Sequence, residues 1–239
     1  MSGIFNNLVG SGAEAMARQQ AWIRGKKGKN IEQIKVIDFF AAEQAQEGCG
    51  CLGGGSKTMS IAEYTAMVQG RLNSMNLRAM AMEKLGIDES QISDVEPIFL
   101  YNFVYDSSDK ELYWKFENGV VVTSKYTVTW IFFSTTQMYT YTYVFDMTSD
   151  STTEYMKEFF LQDITSFETE SALVEKIDIN GVAGCFKSSE TIKKNNYTVD
   201  WFRVIVPGNQ FSIVMRNAGD QANSVQAAKA LLRDRKYGR

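Results

Sequence analysis

Residues 125–146 constrain the fold more than any other part of this chain. They read KYTVTWIFFSTTQMYTYTYVFD and alternate large and small side chains along two arms, which is the period-two pattern of paired antiparallel β-strands. A tight turn at residues 134–137 would pair the arms. One face of the hairpin, here named the aromatic face, then carries Tyr126, Val128, Trp130 and Phe132 opposite Phe145, Tyr143, Tyr141 and Tyr139. We expect these eight bulky side chains to be buried.

Composition places the chain among ordinary globular proteins. Its 239 residues are 44% apolar and 22% charged, which suits one substantial core with an accessory segment, or two small domains. The formal charge of −3 and the isoelectric point near 5.2 predict no general attraction to nucleic acid. No secretory signal is recognisable, and the apolar runs are shorter than the roughly 18 residues that span a bilayer.

The absence of histidine narrows the chemistry. It excludes His-based catalytic triads and zinc sites with imidazole ligands. The three cysteines, Cys49, Cys51 and Cys185, are too few for a disulfide framework, and their odd number leaves at least one unpaired in a monomer. These features predict a protein of the reducing cytoplasm that uses no cofactor.

Residues 1–30 read as an accessory arm in which an apolar segment precedes a basic one. Such an arm can lie on an anionic membrane. The contact residues would then be Ile4, Phe5, Leu8, Trp22, Lys26, Lys27 and Lys29. The alternative is a short helix that docks on its own domain or on a second copy, followed by a solvated basic linker. We favour docking, because glycines interrupt the helical pattern.

A glycine-rich stretch at residues 48–58 resembles a phosphate-binding loop in composition but differs in spacing. A P-loop places Lys directly after the last Gly, whereas Ser56 precedes Lys57 here. Its two cysteines cannot complete a tetrahedral metal site with one further Cys and no His. We interpret the stretch as a flexible linker. It follows residues 31–45, which read either as a second short helix or as an extended segment.

A clear helix signal begins at Ser60. With Glu63 it forms a capping box, and apolar residues then recur at three- and four-residue spacing up to a C-cap at Gly86. Residues 73–76 would divide the segment into two helices. Its four methionines suit an adaptable binding groove or packing on a core or partner subunit, and the periodicity favours packing.

From Pro97 onward the apolar period changes from 3.6 to 2. Besides the two arms of the aromatic hairpin, the pattern predicts strands at residues 98–105, 111–116, 153–160, 164–170, 174–179, 184–187, 197–206 and 211–215. An amphipathic helix follows Gly219 and Asp220, and its basic residues lie toward its negative C-terminal end.

This succession of short antiparallel strands and one closing helix resembles the pleckstrin-homology-like (PH-like) fold. Residues 96–235 are also similar to an uncharacterised family of bacterial proteins with that topology, through residues 125–146, the segment EYMKEFFLQDI at 154–164 and the final strand–helix unit. The resemblance implies an α+β chain, in which an N-terminal helical segment precedes a PH-like antiparallel β-barrel or sandwich closed by a C-terminal helix. It implies no activity, since that family has none established.

On this basis we divide the chain into an arm with its linker (1–58), a helical segment (59–95) and the PH-like domain (96–239).

Within that domain, the tyrosine row of the second arm would stack nucleic-acid bases only in a basic surround, which the hairpin lacks. The most basic cluster would bind an anion or acidic lipid, or would form a solvated hairpin tip. It consists of Lys187, Lys193, Lys194 and Arg203.

Three functional hypotheses follow. We favour a non-enzymatic binding or assembly module whose partner is another protein or a second copy, because the sequence has a strong fold pattern and no catalytic motif. The alternative is a peripheral membrane protein that uses the N-terminal arm. A third hypothesis, an enzyme with carboxylates, Lys or Cys in an unfamiliar arrangement, requires a deep pocket around such groups.

The membrane hypothesis makes a direct prediction. If the arm is an anchor, the full chain sediments with anionic lipid vesicles, and a chain without residues 1–30 does not. Equal sedimentation of both chains, or of neither, contradicts an anchoring role.

Overall fold

A computed structural model describes residues 25–45, 59–92, 95–104, 112–117, 120–183, 188–215 and 218–237. This part of the chain is α+β, with antiparallel sheets between N-terminal helices and a C-terminal helix. In chain order the elements are α1 (Ile31–Ala45), α2 (Ile61–Ser74), α3 (Leu77–Leu85), β1 (Ile98–Phe103), β2 (Trp114–Glu117), β3 (Val120–Thr123), β4 (Lys125–Phe133), β5 (Gln137–Asp146), β6 (Thr152–Phe160), β7 (Ser166–Ala183), β8 (Ser188–Val206), β9 (Asn209–Met215) and α4 (Ala218–Tyr237). Short 3-10 turns occupy Glu89–Gln91 and Leu161–Asp163.

The aromatic hairpin forms as β4 and β5 in the predicted register. Tyr126 lies opposite Phe145, and the Ser134 amide donates to the Gln137 carbonyl at 2.8 Å to close the turn. Strands β1 and β6 flank the hairpin, so that the four-stranded sheet has the order β1-β4-β5-β6. The register and the turn are therefore confirmed.

The β4–β5 hairpin at the centre of this sheet is buried on both faces. Phe132 and Phe133 are neighbours on β4, so their side chains point to opposite faces, yet both are fully buried. Phe132 belongs to a core shared with α1, α2 and α3, whereas Phe133 belongs to a second core shared with β7, β8, β9 and α4. The four-stranded sheet is thus the middle layer between helices on its aromatic face and a three-stranded sheet with α4 on the other.

The helix boundaries follow the local sequence signals. Ser60 and Glu63 exchange the two hydrogen bonds of a capping box at the start of α2, and Gly86 ends α3 with a φ of +66°, a value that favours glycine. The break between α2 and α3 falls within residues 73–76. The cap, the break and the C-cap are confirmed.

Helix α1 docks on the aromatic face rather than extending away from it. The Phe39 ring stacks on the Tyr64 ring at 4.7 Å, and the Gln33 amide nitrogen donates to the Asp150 carboxylate at 2.8 Å. Residues 31–45 are therefore helical, and the tyrosines of β5 lie beneath helices, with Tyr141 fully buried.

The described strands do not close into the predicted barrel. β1 runs beside β9, but the two belong to separate sheets, with orders β1-β4-β5-β6 and β7-β8-β9. Among the described strands, β2 pairs with β3 in a sheet of its own. The strands predicted at 164–170 and 174–179 are one strand, β7, because residues 171–173 contain no turn-forming Gly or Pro to interrupt it. The strand predicted at 184–187 lies outside the described residues.

Burial of both faces of β4 predicts two large and similar losses of stability. Phe132→Ala and Phe133→Ala should each lower the free energy of unfolding by about 3–5 kcal/mol, because each leaves a cavity in a separate core. Urea denaturation measures both. Phe160→Ala, whose side chain is 52% exposed, serves as the control and should cost less than about 1 kcal/mol. A small loss for either core variant would contradict the layered arrangement.

A second prediction concerns the hydrogen bond that joins α2 to β3. The buried Tyr64 hydroxyl donates to the Thr123 carbonyl at 2.6 Å. Tyr64→Phe leaves that carbonyl without this donor and should lower the free energy of unfolding by about 1–3 kcal/mol. Tyr155→Phe, at a hydroxyl of a half-exposed side chain, is the matched control and should change stability by less than about 0.5 kcal/mol.

Candidate functional site

A cleft of about 260 Å³ opens where α2 meets α3, above strands β1 and β4. It exists because the helix break interrupts the cover over the sheet. Three carboxamides, one cation and two aromatic rings are among the side chains that line it: Gln69, Asn73, Asn76, Arg78, Phe99 and Trp130.

The carboxamides lie at the wall because of their spacing around the helix break. Gln69 and Asn73 are four residues apart, so they share one face of α2, and the Gln69 amide nitrogen donates to the Asn73 side-chain oxygen at 2.9 Å. Asn76 precedes α3 and makes no side-chain capping hydrogen bond. Each carboxamide offers donors as well as an acceptor, so the wall can complement a ligand that also carries both.

The floor of the cleft is aromatic. Phe99 of β1 lies opposite Trp130 of β4, with ring centroids 5.0 Å apart, and Trp130 stacks on Phe132 at 5.8 Å. These contacts fix the indole between the cleft and the first core. A flat apolar group that enters the cleft would therefore meet a rigid aromatic surface.

Two buried polar atoms lie on adjacent strands beneath the helices. Trp130 is the register partner of Tyr141, and the Trp130 Nε1–H makes no hydrogen bond with any described residue. The Tyr141 hydroxyl lies beside the Glu154 carboxylate. Buried polar groups usually have a partner in the protein, in water or in a ligand. The Trp130 Nε1–H is a donor only, and the atom is shielded from solvent.

The cation at the cleft is already paired. Arg78 donates two hydrogen bonds to the Glu89 carboxylate, and these lower the pKa of Glu89 below its ordinary value. The lining residues include no nucleophile and no general base that works near neutral pH. Hydrogen bonding and aromatic contact are therefore the chemistry that this cleft offers.

The structure does not bring the predicted basic cluster together. Lys193 and Lys194 lie in β8, and Arg203 is at least nine residues further along the same strand, a distance of roughly 30 Å. Arg203 pairs with Glu170 of β7. The side chains of Lys193 and Lys194 lie outside the described part of the chain, as does Lys187, and anion binding there stays a prediction.

The predicted membrane arm is described only at its end. Lys26 pairs with Asp38 of α1, Lys27 is exposed and Lys29 is partly buried. The apolar members of the predicted contact set lie outside the described residues: Ile4, Phe5, Leu8 and Trp22. Among the helices that are described, none combines the length and the apolar character needed to cross a bilayer.

The glycine-rich stretch and all three cysteines also lie outside the described residues. In the remainder of the chain, no group of three or more acidic side chains is arranged to hold a metal ion. The cleft itself was missed by sequence reasoning. The available signal was the recurrence of carboxamides at 69, 73 and 76 beside a predicted helix break.

The buried tyrosine beside the cleft gives a pH prediction. Burial, together with the nearby Glu154 carboxylate, raises the pKa of Tyr141 above its ordinary value. Above pH about 10 the unfolded chain therefore releases a proton that the folded chain keeps, and the free energy of unfolding falls as pH rises.

Tyr141→Phe should remove up to about 1.4 kcal/mol per pH unit of that alkaline decline. At pH 7, where the hydroxyl is neutral in both the folded and the unfolded chain, it should change stability by less than about 1.5 kcal/mol, the contribution of one hydrogen bond. Urea denaturation between pH 7 and about 11 tests both expectations, since free tyrosine titrates near pH 10. Tyr155→Phe, at an exposed position, should not alter the slope.

No protein-family model, curated protein or solved structure shows a significant match to this chain. Its function is therefore inferred from the arrangement of its own side chains.

Proposed function

We propose that the protein is a non-enzymatic binding module, and that the cleft at the α2–α3 junction binds a segment of a polypeptide partner. The observation that carries this proposal is the pairing of a carboxamide wall with an aromatic floor. A peptide group has one donor and one acceptor, as a carboxamide does, so Gln69 and Asn73 can bond to peptide backbone while Trp130 receives an apolar side chain.

The charge and size of the cleft favour a neutral segment. Because Glu89 holds Arg78, little positive charge remains to attract a phosphate or another strong anion. A volume of about 260 Å³ suits one or two side chains rather than a large cofactor.

We further propose that the strand region and α4 belong to the PH-like class. Two features support this assignment: a four-stranded and a three-stranded antiparallel sheet share one core, and the C-terminal helix contacts both β1 and β7. Fold class by itself implies no ligand. The cytoplasmic location follows from the cysteine count and remains part of the proposal.

A displayed library of random seven-residue peptides, selected on the full chain, tests the binding function. Selected peptides should bind Gln69→Ala and Trp130→Phe about 2- to 12-fold more weakly, because Gln69→Ala removes a hydrogen-bonding group and Trp130→Phe reduces the aromatic contact surface. Gln162→Ala is the matched control, because Gln162 is an exposed amide in the 3-10 turn Leu161–Asp163.

Two results would count against the proposal. One is the failure of any peptide to be enriched on the full chain. The other is a set of peptides that bind the two cleft variants, the control and the unmodified protein equally well.

A further inference from the structure

Strand β6 forms an open edge of the four-stranded sheet. β5 pairs with one side of β6 along nine successive residues, and no described strand pairs with the other side. The opposite edge strand, β1, runs beside β9. An edge strand presents unpaired backbone N–H and C=O groups, which are a template for another strand.

The side chains of β6 are unusually exposed for residues of this size. Tyr155, Met156 and Phe160 are 54%, 48% and 52% exposed, and no residue of the strand is fully buried. These apolar groups lie along the same edge as the unpaired backbone. A partner strand would therefore remove apolar surface from water while it forms backbone hydrogen bonds.

One face of β6 alternates acidic and apolar residues. Glu154, Met156 and Glu158 lie opposite Tyr143, Tyr141 and Tyr139 of β5, which places them on the aromatic face, and Phe160 follows on that face two residues later.

The two acidic residues differ in their surroundings. Glu154 pairs with Lys84 of α3 at 3.2 Å, whereas Glu158 is exposed and makes no ion pair with any described residue. On the aromatic face of β6, the charge that has no ion pair among the described residues is therefore the negative charge of Glu158. Lys157 lies on the other face of the strand, with its ammonium group over the Phe211 ring.

A second copy of the chain fits this edge poorly. In a two-fold antiparallel pair, registers centred on Glu154, Met156 or Glu158 place glutamate opposite glutamate, and the register centred on Lys157 places lysine opposite lysine. The register centred on Tyr155 avoids like charges but sets Glu154 against Met156. Like charges directly opposite each other destabilise a strand pair.

We propose that β6 accepts an extended segment of another protein as a fifth strand, and that this segment alternates basic and apolar residues at every second position. Its basic residues lie opposite Glu154 and Glu158, and its apolar residues lie opposite Met156 and Phe160. The basic residues are thus four positions apart, with an apolar residue midway between them. This surface is on β6, two strands from the β4 side of the cleft, so it does not depend on the proposed role of the cleft.

Two synthetic peptides test the proposal by fluorescence anisotropy at low salt. Val-Thr-Lys-Thr-Val-Thr-Lys, aligned antiparallel from Phe160 to Glu154, presents both lysines to glutamates, and Val-Thr-Glu-Thr-Val-Thr-Glu presents like charges. The lysine peptide should bind roughly tenfold more tightly, because cross-strand charge pairs contribute about 0.2–1 kcal/mol each and like charges oppose pairing.

Charge reversal at the edge distinguishes specific cross-strand pairing from non-specific electrostatic attraction between the peptide and the protein. In Glu158→Lys each peptide has one matched and one opposed charge, so the tenfold preference should fall to about one. Asp234→Lys makes the same change of net charge at an exposed position of α4 and should leave the preference intact. Gln69→Ala should also leave it intact, which distinguishes this edge from the cleft.

Three outcomes would overturn the proposal. The first is equal binding of the two peptides to the unmodified chain. The second is an equal loss of preference in Asp234→Lys. The third is self-association of the chain that is altered by Glu158→Lys and that prevents the peptides from binding. This result would assign the edge to a second copy.

Discussion

Burial of the β4–β5 hairpin on both faces is the constraint on which the rest of the structure depends. Phe132 and Phe133 are adjacent, yet each is at the centre of a different core. An apolar strand buried on both faces needs a covering layer on each side. The N-terminal helices supply one layer, and the β7–β9 sheet with α4 supplies the other. The helices are therefore structural partners of the sheet, joined to it by Tyr64 and Gln33.

The same arrangement explains the position of the cleft. Large aromatic side chains on the sheet leave little free space beneath the helices, and the break between α2 and α3 leaves a cleft. The polar residues Asn73, Ser74 and Asn76 lie at the break, and the carboxamides of Asn73 and Asn76 line the opening. Trp130, whose ring lines this opening, lies where the cover is interrupted. The packing that buries the sheet thus also defines the proposed binding site.

The edge strands of the two sheets differ in their surroundings. β1 and β9 run side by side, whereas β6 keeps exposed apolar side chains and alternating charge. The barrel expected from the pattern of strands would have removed these edges. Because the described strands remain in separate sheets, β6 remains available to an added strand. The two proposed binding surfaces, the cleft and the edge, are therefore distinct.

The amino-acid sequence by itself determined the features that depend on neighbours along the chain. These include the hairpin register at residues 125–146, the capping box at Ser60 and the Gly86 helix end, since turn geometry and capping act over a few residues. Only the tertiary structure decided the second buried face of β4, the continuity of β7, the cleft and the open edge of β6. Each of these depends on contacts between residues far apart in sequence. Period-two alternation shows which side chains share a face, but not whether another layer covers that face.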